Sequence, residues 1–102
     1  MGKNSTRESL AREMTNVVVH EILTVHTNRP EAVPSVKSEA IEYRSNAEKI
    51  LKKFNWNADD KSYIKNKALK MIKEKMASKY PDVKYSEQEA INRLKKIIEE
   101  IM

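Results

Sequence analysis

The 102-residue chain contains one glycine, and it stands at position 2. An interior without a residue free to take positive φ offers few of the tight turns that β-hairpins and phosphate-cradling loops require, so helices joined by short polar breaks are favoured. The same fact excludes the glycine-dependent motifs: P-loop, dinucleotide fingerprint and nucleophile elbow all need interior glycines. Cysteine is absent too, which removes disulfides, thiolate metal sites and cysteine nucleophiles together. The chain is long enough for one modest core and too short for two. A single domain over 1–102 is expected, with residues 1–5 disordered.

Hydrophobic periodicity agrees. Ser5 and Glu8 have capping-box spacing, and Ala11, Met14, Val18, Ile22 and Val25 then follow one helical face, widened by Leu10, Val17, Val19 and Leu23. A face this broad predicts a central helix. Two prolines in "TNRPEAVPS" interrupt it. Ser35 is placed to cap a second helix with the seam Val36, Ala40, Tyr43, Ala47, Ile50 and Phe54, broadened by Ile41 and Leu51, and with Glu48 and Lys52 as an outer i,i+4 pair. "NWNADD" breaks the chain again, with Asn57 or Asp59 as cap. A third helix then carries Ile64, Ala68, Met71, Ile72 and Met76 to a stop at Pro81. Ser86 and Glu89 form a second capping box before Ala90, Ile91, Leu94, Ile97, Ile98 and Ile101. The expected fold is all-α, a bundle of four helices near 5–27, 35–54, 58–80 and 86–102, with no sheet.

The stretch "VVVHEILTVH", residues 17–26, raises two competing readings. Its β-branched cluster suggests a strand over about 16–26, but strict alternation is missing and no partner strand is available. A metal site would need both histidines on one side of a helix. At six residues apart, His20 and His26 project about 120° from each other and stand about 9 Å apart along the axis, so they cannot share an ion. His26 is expected at the helix end, where the dipole favours a cation, and His20 at the polar edge of the apolar face. Neither a metal nor a small-molecule cofactor is implied.

Charge is unevenly placed. Residues 49–80 hold ten lysines against Asp59, Asp60 and Glu74, a surplus of +7 in a chain whose net charge is +5. Lys67, Lys70 and Lys73 are expected on the outer side of the third helix, with Lys52, Lys53 and Trp56 near its start. These six form a candidate surface for gripping a phosphate backbone or stacking on unpaired bases. Every base in the segment is lysine, not the arginine that reads guanine edges, so such binding would be insensitive to sequence. Lys61, Lys65, Lys75 and Lys79 instead border the apolar face as snorkelling side chains. Trp56 is read as a staple that closes the corner between helices in preference to an exposed anchor.

The longest apolar run, Val17–Val19, is far short of the roughly 20 residues a membrane span requires, and the polar start "MGKNSTRESL" has no signal core. A soluble cytoplasmic protein is expected. Since no catalytic constellation emerges, the functional expectation is a non-enzymatic helical interaction module, a scaffold or regulator with a protein partner. The broad face of the first helix further suggests a homodimer through helices 1 and 4. The alternative is a nucleic-acid-binding protein that uses 49–80.

Overall fold

The computed structural model describes residues 3–27 and 29–102, and all regular structure among them is helical. Helix α1 spans Lys3–His26, α2 Val33–Leu51, α3 Ala58–Lys79 and α4 Glu87–Ile101, and one 3-10 turn at Pro30–Ala32 leads into α2. The all-α expectation with four helices holds. No described helix is long and apolar enough to cross a membrane.

Helix ends follow local chemistry, not always at the residues expected. Asn57 caps α3: its side chain accepts from the Asp60 amide at 2.9 Å while the Asp60 carboxylate accepts from the Asn57 amide at 3.1 Å. Asp59 is therefore in the first turn and not the cap. Ser86 caps α4 through the Glu89 amide at 3.0 Å. The Glu89 carboxylate does not return the bond, because His26 and Arg93 take it. Ser5 lies inside α1, which already runs from Lys3, so Ser5 and Glu8 do not open the helix. The expected disorder of residues 1–5 falls at 1 and 2 outside the described residues. Ser35 likewise lies inside α2, which starts two residues earlier with Pro34 in its first turn, a position where the missing N–H costs nothing.

Cross-helix contacts set the topology. Arg7 meets Asp60 and Thr15 meets the Ala68 carbonyl, so α1 and α3 run parallel. His26 pairs with Glu89 and Glu21 with Arg93, so α4 runs against α1. Short connections through Pro30–Ala32 and Phe54–Trp56 complete an up-down-up-down order. The 24 residues of α1 extend about 36 Å, close to the 40 Å long axis of the molecule.

The core is built around α1. Leu10, Ala11, Met14, Val17, Val18, Val19, Ile22 and Leu23 are buried, facing Ala47 from α2, Ile64, Ala68, Ile72 and Met76 from α3, and Ala90, Leu94 and Ile97 from α4. Val17, Val18, Val19 and His20 are consecutive and all buried. Four successive residues cover a full helical turn, so α1 is enclosed on every side there. Each β-branched residue loses about 0.5 kcal/mol of helix propensity, whereas burying it gains about 1.5–3 kcal/mol. Burial wins, and the strand reading of 16–26 fails. Thr15 and Thr24 satisfy their hydroxyls on carbonyls one turn back, at 2.8 Å each.

Enclosure of α1 within one chain also covers the broad face from which a dimer through helices 1 and 4 was expected. What α1 leaves exposed at its apolar end is Val25.

Candidate functional site

Both histidines are engaged, each with a different helix. His20 is 6% exposed rather than at the polar edge. Its Nδ1 lies 2.7 Å from the Asn16 carbonyl and its Nε2 2.7 Å from the Glu39 carboxylate on α2. The Asn16 carbonyl can only accept, so Nδ1–H is the donor to it, and Nε2 is left to meet the Glu39 carboxylate. The ring packs on Tyr43 with centroids 5.0 Å apart. Burial, then the Glu39, Glu13 and Glu42 carboxylates, push the Tyr43 hydroxyl above its ordinary value. With both nitrogens occupied inside the core, His20 offers no lone pair to a metal or substrate.

His26 ends α1 as expected and reaches α4, where Nε2 sits 2.7 Å and 2.9 Å from the two Glu89 oxygens. Arg93 donates to Glu89 at 3.1 Å and to Glu21 at 3.3 Å, completing a network that clamps α4 against α1. Burial alone would raise the Glu89 carboxyl, but the bonds from His26 and Arg93 outweigh it and hold the group below the usual carboxylate value. Among the described residues, no three His, Asp or Glu side chains converge as metal ligands.

Beside this clamp is a groove that the seam pattern did not reveal. Ile41 was expected to broaden the buried face of α2, and Val25 to lie on that of α1, yet they are 72% and 59% exposed. Together with Glu21, Thr24, Lys37, Ala40 and Arg93 they line an open depression of about 270 Å³ between the end of α1, α2 and α4, in which Glu21 is paired with Arg93. Further along, α2 reaches α4 through Arg44, whose guanidinium is 2.6 Å from Glu100. Arg44 also takes Glu48 at 3.6 Å, replacing the expected Glu48–Lys52 pair.

The six lysine-segment residues differ in exposure and pairing. Lys70 is exposed and Lys67 half-buried, and neither has an ion pair among the described residues. Lys73 is exposed but bonded to Glu87 at 2.6 Å, at the mouth of a pocket of about 300 Å³ lined by Leu69, Ile72, Tyr85 and Ala90. Lys52 and Lys53 are exposed in the turn after α2. Trp56 is half-buried, donates Nε1–H to the Leu51 carbonyl at 2.8 Å and meets Phe54 edge-on at 6.0 Å, so it closes the α2–α3 corner.

Compared with protein-family models, curated proteins and solved structures, the chain matches none.

Proposed function

We propose that the chain is a non-enzymatic helical interaction module, and that the groove at Val25 and Ile41 docks an amphipathic helix bearing acidic residues from a partner protein. The observation that carries this reading is that two large apolar side chains are exposed beside one groove, while the other large aliphatic side chains among the described residues are buried or half-buried. Charge complementarity selects the occupant. Lys37 stands exposed at the rim with no acid partner among the described residues. Apolar side chains spaced i, i+3 or i+4 would fill the groove, while their acidic neighbours meet Lys37. A photo-crosslinking residue at position 41, used in native extract, tests this. The expected product is one partner segment that is amphipathic and acidic, and Lys37→Glu should abolish it. Crosslinking to a second copy of this chain, or unchanged crosslinking in Lys37→Glu, would overturn the choice of partner.

A second reading, nucleic-acid binding through α3, draws support from Lys67 and Lys70, which lack ion pairs among the described residues. Replacing Lys67, Lys70 and Lys73 with glutamine should then weaken binding to every sequence alike. The salt dependence should flatten by about one unit per lost phosphate contact, and less for Lys73, which already has Glu87. Wild type without salt-dependent affinity for DNA or RNA at low ionic strength would remove this reading.

A further inference from the structure

A second concave site lies between the parallel helices α1 and α3, away from the α2–α4 groove. It is a cleft of about 340 Å³ whose charged lining is Arg12 from α1 and Lys75, Lys79 and Glu74 from α3. Three cations against one carboxylate leave a local excess of positive charge. Arg12 and Lys79 are exposed and have no ion pair among the described residues. Lys75 is half-buried, and its ammonium is held by the side-chain carbonyl of Asn16, a neutral partner.

A half-buried ammonium is normally matched by a carboxylate, since desolvation of an unneutralised charge is costly. Burial, followed by the charge of Lys79 one turn away, pushes Lys75 below the ordinary lysine value. Both effects would be relieved by an anion seated between the three cations. Around that position the cleft places Ser78, whose hydroxyl has only a 3.4 Å contact to the Lys75 carbonyl, and Met71 as an apolar wall. The volume exceeds that of a bare oxyanion and leaves room for a small organic substituent.

We propose that this cleft binds a phosphate group, with Arg12, Lys75 and Lys79 as its ligands and Ser78 as an additional donor. Arginine's planar fork suits two phosphate oxygens at once, while the lysines act as point charges. A free phosphate monoester and the terminal phosphate of a nucleic-acid strand share this chemistry. The site does not depend on the docking groove, because none of its residues contributes to that groove.

Titration of the ¹⁵N-labelled protein with phenyl phosphate, followed by backbone and lysine side-chain resonances, provides the test. Saturable shifts centred on Asn16, Lys75, Ser78 and Lys79 are expected. Affinity should fall about tenfold or more in Arg12→Gln and in Lys75→Gln, while Lys84→Gln, outside the lining of the cleft, binds as wild type does. Methyl-capped phosphate diester should bind more weakly than the monoester. Parallel titrations with 5′-phosphorylated and 5′-hydroxyl oligonucleotides separate the sources: a preference for the phosphorylated end points to a strand terminus, and equal weak binding points to the free monoester. Because Lys75 touches the core, Lys75→Met keeps its stem packed and must show the same loss. Shifts spread evenly over Lys52, Lys53 and Lys84, or undiminished affinity in the Arg12 and Lys75 variants, would overturn the assignment.

Discussion

Replacing Asp60 with alanine should be among the most damaging single changes at a helix end of this protein. Asp60 is 4% exposed, and its carboxylate accepts from the Asn57 amide at 3.1 Å and from Arg7 at 3.4 Å. It thus closes the start of α3 and ties that start to α1. Losing a hydrogen bond to a charged acceptor costs about 1.5–3 kcal/mol, and removing the carboxylate that faces half-buried Arg7 adds about 1 kcal/mol. The expected loss is about 3 kcal/mol, a large share of the 5–15 kcal/mol typical of a domain. At about 4–8 °C per kcal/mol this lowers the midpoint by roughly 12–24 °C. Two neighbours calibrate the measurement. Asn57→Ala removes only the cap and should cost about 1 kcal/mol, whereas Asp59→Ala, exposed in the same first turn, should cost less than about 0.5 kcal/mol. Urea melts with matched m-values give all three. If Asp60→Ala and Asp59→Ala differ by less than about 0.5 kcal/mol, the reasoning from burial and reciprocal capping is wrong.

His20→Ala should cost about 3 kcal/mol through its cavity and lost bonds, and His20→Leu only about 1 kcal/mol, since half-exposed Glu39 can return to water; equal losses in urea melts would contradict a packing role. Glu89 has its folded value depressed, so the stability it provides is present above the unfolded carboxyl value near 4.5 and fades as pH falls through the lower folded value. Glu89→Gln should therefore be less stable than wild type at neutral pH and converge with it in acid, which a pH series of melts will reveal. Glu13 behaves oppositely: burial, opposed by Asn46 and Arg12, raises its carboxyl, and its Oε2 is buried without a hydrogen bond among the described residues. Charging it at neutral pH works against folding, so Glu13→Gln should raise the thermal midpoint by about 2–4 °C, equivalent to about 0.5 kcal/mol, and give no gain below the carboxyl range. Ile41→Asp should leave stability within about 0.5 kcal/mol of wild type, because the side chain already faces solvent.

The parts of the fold that were legible are those in which one residue type has one good use. Ser86 before an apolar run is a cap, and Pro81 ends α3. The breadth of the apolar face of α1 foretold its central place, and the enclosure of Val17–His20 bears that out. What stayed open or failed were choices among chemically equivalent neighbours. Asn57 and Asp59 were alternative caps, of which Asn57 is the one used, while Ser5 and Ser35 resemble Ser86 yet lie inside their helices, so only the backbone path decides. Ile41 follows the seam residue Ala40 and so points about 100° away from it; that rotation could have shown it to be off the buried face. Arg12 and Lys75 lie 63 positions apart in the chain, and only the parallel packing of α1 on α3 brings them to one cleft.

The order of elements gives the enclosed helix an unusual history during synthesis. Residues 17–20 leave the ribosome before any helix that covers them, and their last cover, from Ala90 to Ile97 of α4, emerges at the other end of the chain. Until α3 emerges, α1 can close only on α2, its neighbour in sequence, so an α1–α2 hairpin with an open apolar flank is the natural early nascent species. At translation rates of about 5–20 residues per second, that flank stays uncovered for several seconds. During this interval the most apolar stretch of α1 faces water on that flank, the condition under which a nascent chain is most prone to association.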